Sequence, residues 1–188
     1  MATSKGQRIG IWIIAGALTI GTLGGFAAMI LETGNAKTDQ AKQQQQLEEY
    51  KKQQEVAAAA HAASSKPLDG YTAEPFDKAS VKTLKVETIV QGDGEALAKT
   101  STIEANYFGW TSDGKIFDST NQNGTVTPAT FGLDQVIAGW TEGLNGVRVG
   151  SVVKLTIPAD KAYGATGSPP NIGPNEPIAF IVEVKAIK

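Results

Sequence analysis

The sequence contains no cysteine and a single histidine in 188 residues. The lack of cysteine excludes disulfide bonds, thiolate nucleophiles and cysteine-ligated zinc. Because His61 is the one imidazole, we expect neither a histidine-built metal site nor a Ser-His-Asp triad, and no metal or cofactor. The formal net charge of −2 leaves no excess of basic residues, so we expect no nucleic-acid partner.

Charged residues are absent from residues 9–31, which read IGIWIIAGALTIGTLGGFAAMIL. As a helix of about 35 Å, this run can cross a hydrocarbon core of about 30 Å. Lys5 and Arg8 precede it without an acidic neighbour, so the positive-inside rule predicts that residues 1–8 are cytoplasmic and the remainder extracytoplasmic. We therefore predict a single-pass anchor in the lipid bilayer. The alternative is a cleaved signal peptide, which would leave a secreted protein.

Residues 32–66 are low in complexity and rich in Ala, Gln, Glu and Lys, which are good helix formers. Leu47, Tyr50 and Val56 are too few for a sustained coiled-coil seam. We therefore predict a solvated helical stalk that frays through its alanine run. His61 lies in this run, and we expect it to be solvated rather than a ligand.

The remaining residues, 81–188, alternate between β-branched or aromatic segments and turns rich in glycine and proline. Between residues 136 and 144, Ile137, Trp140 and Leu144 recur at helical spacing. We predict an α+β fold in which an antiparallel β-sheet wraps around this one short helix. Residues 67–80 precede it, either as a linker or as a packed segment. Strands are predicted at residues 81–90, 100–110, 152–157 and 178–187, with another beginning at 115–118, and loops at 121–127 and 162–177.

Four stretches resemble the FKBP-type peptidyl-prolyl cis-trans isomerase family in order and spacing. They are NYFGW and DGKIFDS within residues 106–119, VIAGWTEGL at 136–144, IP leading into AYG within 157–164, and FIVEV at 180–184. The resemblance extends over roughly residues 86–188. It implies an FKBP-like fold that accelerates rotation of X-Pro bonds in proline-containing polypeptides. As a further ligand it implies a macrolide inhibitor.

The family's ligand pocket is an apolar hollow between the sheet and the short helix. The resemblance implies that Trp140 forms its floor and that Asp118 hydrogen-bonds within the pocket or to the ligand. It also implies that the Tyr163 hydroxyl and the Ile137 N–H donate to substrate carbonyls. Taken singly, most of these residues could equally be core residues, and only their joint pattern indicates a pocket. The complete set is Tyr107, Phe117, Asp118, Val136, Ile137, Trp140, Tyr163, Ile172 and Phe180.

Two positions depart from the family pattern. Around Thr127, where many members carry an aromatic residue, this chain reads TPA, so one pocket wall is expected to be lower. In the flap, SPPNIGP at residues 168–174, the neighbours of Ile172 are unusual. These departures support an alternative hypothesis, in which the domain is a non-catalytic peptide-binding or chaperone module on a membrane stalk.

Overall fold

The computed structural model describes residues 36–188. The predicted cytoplasmic segment at residues 1–8 and the predicted anchor at residues 9–31 lie outside the described residues. Within the part of the chain that is described, no helix has both the length and the apolar character needed to cross a membrane.

A long helix, α1 (Ala36–Ser64), precedes the domain. Its side chains are exposed from residue 42 to residue 57, as expected for a stalk built of polar helix formers and alanine. The predicted fraying is wrong, because the helix continues through the alanine run to Ser64. The hydroxyls of Ser64 and Ser65 both donate to the carbonyl of His61, at 2.9 and 3.0 Å, which satisfies an acceptor at the helix end.

Within residues 36–188 the strands are β1 (Ser65–Lys66), β2 (Lys85–Val90), β3 (Thr102–Thr111), β4 (Ile116–Ser119), β5 (Asn121–Gln122), β6 (Thr125–Val126), β7 (Ala129–Gly132), β8 (Val152–Ile157) and β9 (Ile178–Ile187). They form two antiparallel sheets. The larger sheet has the strand order β2, β8, β9, β3, β4, with β7 paired to the first part of β3. The smaller sheet has the order β1, β5, β6.

One short helix, α2 (Ala138–Gly143), packs against the larger sheet. A Cβ atom on Gly139 would lie 2.4 Å from Cγ2 of Ile157, so only glycine lets the helix approach β8 this closely. Single 3₁₀ turns occur at Lys78–Ser80 and Ala159–Lys161. The predicted α+β architecture, an antiparallel sheet around one short helix, is confirmed.

The predicted loop at residues 121–127 is wrong, because β5 and β6 form a hairpin there. Asn123 and Gly124 have φ values of 54° and 91°. An Asn-Gly pair tolerates two consecutive positive φ angles, which is what a two-residue hairpin turn requires. The strand β7 (Ala129–Gly132) was also not predicted.

Residues 67–80 pack on the outer face of the larger sheet. Leu68 is buried there with Phe108 and Trp110 of β3, and Phe76 packs against the same cluster. The indole Nε1 of Trp110 donates to the carbonyl of Glu74 at 2.8 Å. Because this segment covers one face of β3 and α2 covers the other, most residues of β3 are buried.

Candidate active site

Aromatic rings meet edge to face on the inner side of the larger sheet. The ring of Trp140, on α2, lies 5.3 Å from that of Tyr107 and 5.1 Å from that of Phe180, at interplanar angles of 90° and 89°. Phe117 meets Phe180 at 5.5 Å. Period-two alternation places Tyr107 and Gly109 on this face of β3, and a Cβ on Gly109 would lie 2.3 Å from the Phe180 ring.

One carboxylate lies among these rings. Asp118 of β4 is fully buried, and its Oδ2 accepts a 2.8 Å hydrogen bond from the Tyr107 hydroxyl. Burial, and then the charge of Asp118 and this hydrogen bond, raise the pKa of Tyr107 well above its usual value. Burial and then the Asp118 charge also raise the pKa of Tyr163. Both phenols therefore keep their protons to a higher pH than an ordinary tyrosine and act as hydrogen-bond donors.

The Trp140 indole has a polar atom without a partner. Its Nε1 is buried and makes no hydrogen bond among the described residues. Buried N–H groups are usually satisfied, so an exception commonly marks a place where a ligand or water is received. Within residues 36–188, no group of three or more His, Cys, Asp or Glu side chains is arranged to hold a metal ion.

The residues predicted to form the pocket come together in the structure. Tyr107, Phe117, Ile137, Trp140, Ile172 and Phe180 belong to one buried cluster, and Val136 and Tyr163 are half-buried against it. Asp118 joins the set through Tyr107. Ile137 stands immediately before α2, where N–H groups lack partners within the helix. Ile172 belongs to the flap, which a backbone bridge with Ser168 closes.

One aromatic residue of the pocket was missed. Phe131 of β7 lies 5.2 Å from the Trp140 ring and 6.3 Å from the Tyr107 ring. Its neighbours Ala129 and Leu133 also contact the core cluster. This apolar alternation at every second residue is the strand signal that could have identified it.

The expectation that His61 is solvated is wrong. Its side chain is 10% exposed, and its Nε2 lies 2.7 Å from Oδ1 of Asp118. The small side chains of the alanine run let α1 approach β4 closely, so the histidine reaches the carboxylate. Ala58, His61 and Ala62 follow a spacing of three and four residues, which is the helical pattern of a packed face.

Comparison with known proteins relates this site to a family. The profile of FKBP-type peptidyl-prolyl cis-trans isomerases matches residues 94–185. FK506-binding protein 1 of Debaryomyces hansenii is 40% identical over 103 residues, which are 54% of this chain and 92% of that protein. A peptidyl-prolyl cis-trans isomerase from Pseudomonas syringae pv. tomato is 30% identical in its crystal structure; the match covers 71% of this chain and 92% of that chain, with a TM-score of 0.52.

Two bacterial relatives are longer. FKBP-type peptidyl-prolyl cis-trans isomerase FkpA of Escherichia coli strain K12 is 40% identical over 118 residues, 63% of this chain. Outer membrane protein MIP of Legionella longbeachae is 40% identical over 105 residues, 56% of this chain. The matches span 43% and 44% of those proteins, less than half of their length. The match to FK506-binding protein 1, in contrast, covers nearly the whole relative, and so the chain belongs to the FKBP-type peptidyl-prolyl cis-trans isomerase family.

Proposed function

We propose that this protein is a peptidyl-prolyl cis-trans isomerase that accelerates rotation about X-Pro bonds in polypeptides. The observation that carries the proposal is the buried aromatic cluster of Tyr107, Trp140 and Phe180 around the Tyr107–Asp118 hydrogen bond. The resemblance described above implies that these positions form the family's ligand pocket, which supports the proposal.

The reaction needs an environment that favours a twisted amide. Resonance makes the planar X-Pro amide polar and sets a rotation barrier of about 18–20 kcal/mol. The twisted amide has lost this resonance and much of its charge separation, so a dry aromatic pocket disfavours the planar form relative to it. Complementarity to the twisted form, rather than tight binding of the substrate, lowers the barrier. The pocket therefore requires no nucleophile.

Each polar group of the pocket has a proposed part. The Trp140 ring forms the floor under the proline ring, and the Tyr163 hydroxyl and the Ile137 N–H donate to the flanking carbonyls. The Tyr107 hydroxyl fixes Asp118 at 2.8 Å, which orients the carboxylate toward the bound peptide. Because the pKa of Tyr163 is raised, its hydroxyl stays a donor beyond the pH at which an ordinary tyrosine loses its proton.

The chain offers a matched pair of tryptophans for a test. Trp140→Phe removes part of the pocket floor, whereas Trp110→Phe makes the same change on the outer face of the sheet. We expect Trp140→Phe to lower kcat/KM for a short X-Pro peptide on the order of tenfold, as for a loss of about 1.4 kcal/mol. Trp110→Phe should leave kcat/KM unchanged.

Absence of acceleration by the folded full chain, with peptide binding retained, would instead support the binding-module hypothesis. Macrolide inhibition can be scored in the same assay.

We propose further that the protein works at the outer face of a membrane, anchored by residues 9–31. The support is that residues 9–31 carry no charge, are long enough to span a membrane as a helix, and are preceded by Lys5 and Arg8. One relative, MIP, carries the name outer membrane protein. Protease added to intact cells or spheroplasts should then digest residues 81–188, and the protein should resist extraction by alkaline carbonate. Mass spectrometry of the mature chain separates an intact anchor from a cleaved signal peptide.

A further inference from the structure

The end of α1 presents one face to the candidate active site. Residues 42–57 of the helix are exposed, but Ala58 is partly buried, the His61 side chain is 10% exposed and Ala62 is 9% exposed. The change from an exposed to a packed helix takes place within one turn. It begins where the chain passes from glutamine and lysine to alanine, because small side chains permit close packing of the helix on the domain.

This face bridges two walls of the pocket. On one side, Nδ2 of Asn171 donates to the carbonyl of Ala58 at 3.0 Å. Asn171 stands next to Ile172 in the flap. On the other side, Nε2 of His61 lies 2.7 Å from Oδ1 of Asp118 in β4. The last turns of α1 therefore extend from the flap to the carboxylate.

With the helix docked, both carboxylate oxygens of Asp118 are hydrogen-bonded. Asp118 uses Oδ1 for His61 and Oδ2 for Tyr107, and it is 0% exposed. Trp140 is 0% exposed and Ile172 is 1% exposed. A peptide that hydrogen-bonded to Oδ1 of Asp118 would have to displace His61 at the end of α1, since both use the same atom.

The chain after the helix is fastened beside the site by other contacts. Residues Ser65–Lys66 pair with Asn121–Gln122 of β5. The Ser119 hydroxyl donates to the carbonyl of Lys66 at 2.6 Å, and Nδ2 of Asn121 donates to the carbonyl of Pro67 at 2.8 Å. These contacts do not involve the pocket walls, so they keep α1 at a high local concentration when its last turns leave the pocket.

We propose that the end of α1, through Ala58, His61 and Ala62, is an intramolecular cap that competes with proline-containing peptides for the pocket. The proposal rests on the proposed function of the pocket as a peptide site. A peptide binds the uncapped fraction of the molecules, so its apparent Kd equals the intrinsic Kd divided by that fraction. Any change that weakens the cap strengthens peptide binding.

The test uses the full chain with two variants that release the cap. His61→Ala removes the contact with Asp118, and Ala62→Glu places a carboxylate at a buried position, which disfavours docking. Val56→Ala is the matched control, because Val56 lies on the same helix and is 62% exposed. Binding of a fluorescein-labelled X-Pro tetrapeptide is measured by anisotropy, and kcat/KM is measured on the unlabelled peptide. Thermal unfolding establishes that each variant is folded.

We expect His61→Ala and Ala62→Glu each to raise peptide affinity roughly tenfold, as for the loss of one hydrogen bond to a charged group. Val56→Ala should behave as the unaltered chain. In the unaltered chain, saturating peptide should speed amide hydrogen exchange at residues 58–64. This exchange measurement requires no substitution, so it decides the question even if a variant fails to fold.

The outcomes separate the cap from the isomerase function. If affinity rises in both variants but no form accelerates isomerisation, the cap stands and the proposed catalysis fails. If every form catalyses equally and binds peptide equally, the catalysis stands and the cap is overturned. A fall of both affinity and kcat/KM in His61→Ala would also overturn the cap, because His61 would then be part of the peptide-binding surface.

Discussion

The two faces of β3 are both aromatic, yet the tryptophans packed on them differ in how their indole N–H is satisfied. On the outer face, Phe108 and Trp110 stack at 5.1 Å, and the Trp110 indole donates to a backbone carbonyl. On the inner face, Trp140 is equally buried but its Nε1 has no hydrogen-bond partner among the described residues. An unsatisfied buried N–H is commonly a place where a ligand or water is received. The outer side of β3 has an unsatisfied acceptor, Oδ1 of Asn106, but no unsatisfied donor among the described residues.

The largest effect that tests the difference between the two faces is expected for Trp110→Ala. Removal of a buried tryptophan costs about 3–5 kcal/mol of unfolding free energy, and here it also leaves the Glu74 carbonyl unpaired. We expect a loss of that size in urea unfolding, whereas kcat/KM per folded molecule should be unchanged. A lower kcat/KM in the folded fraction would show that the outer cluster contributes to the site and would remove the distinction between the faces.

A smaller effect is expected from Tyr107→Phe. The substitution deprives the buried Asp118 carboxylate of one partner, and a hydrogen bond to a charged group contributes about 1.5–3 kcal/mol. The unfolding free energy should fall by this amount, and kcat/KM should fall with it. The control is Tyr71→Phe, the same change in the outer cluster, for which we expect a change within about 0.5 kcal/mol. Equal effects at the two positions would contradict the prediction.

The inner face should also determine the response to alkaline pH. Burial, and then Asp118, raise the pKa of both Tyr107 and Tyr163. Above about pH 10 the phenols of the unfolded chain lose their protons while the folded ones keep them, so the unfolded state binds fewer protons. The contribution of these two phenols to stability should therefore be constant below that pH and fall as the pH rises further. In Tyr163→Phe, measured by urea unfolding between pH 8 and 11, this alkaline loss should be smaller.

The smallest predicted effect lies outside both faces, at Glu176. Partial burial would raise the pKa of its carboxyl, but hydrogen bonds from Lys78 and Ser112 outweigh burial and lower it. Stability from this group is present above the unfolded pKa of about 4.3 and is lost as the pH falls through the lower folded value. Because Lys78 is 48% exposed, Glu176→Gln should cost less than about 1 kcal/mol at pH 7. The difference in unfolding free energy between Glu176→Gln and the unaltered chain should shrink toward about pH 3. A difference that does not change with pH would contradict the lowered pKa of Glu176.

Much of the domain was predictable because its signals are local. Alternation in β3, β8 and β9 and the helical spacing of Ile137, Trp140 and Leu144 indicated the elements in the correct order. The β5–β6 hairpin was missed because strands of two residues have no periodicity to detect. The strand β7 was missed because its alternation is confined to Ala129, Phe131 and Leu133. Phe131 was missed with β7, although it contacts two rings of the pocket.

The sequence by itself determined the family, the one-helix α+β domain and, apart from Phe131, the residues that meet in the inner aromatic cluster, because motifs of fixed spacing carry all of these. It did not indicate that α1 docks beside this cluster. Only the tertiary structure decided that His61 lies on Asp118, 57 positions further along the chain. An alanine-rich helix has no apolar face that predicts a docking site. Its packing depends on the shape of the domain surface, which exists only after the strands and the flap have assembled.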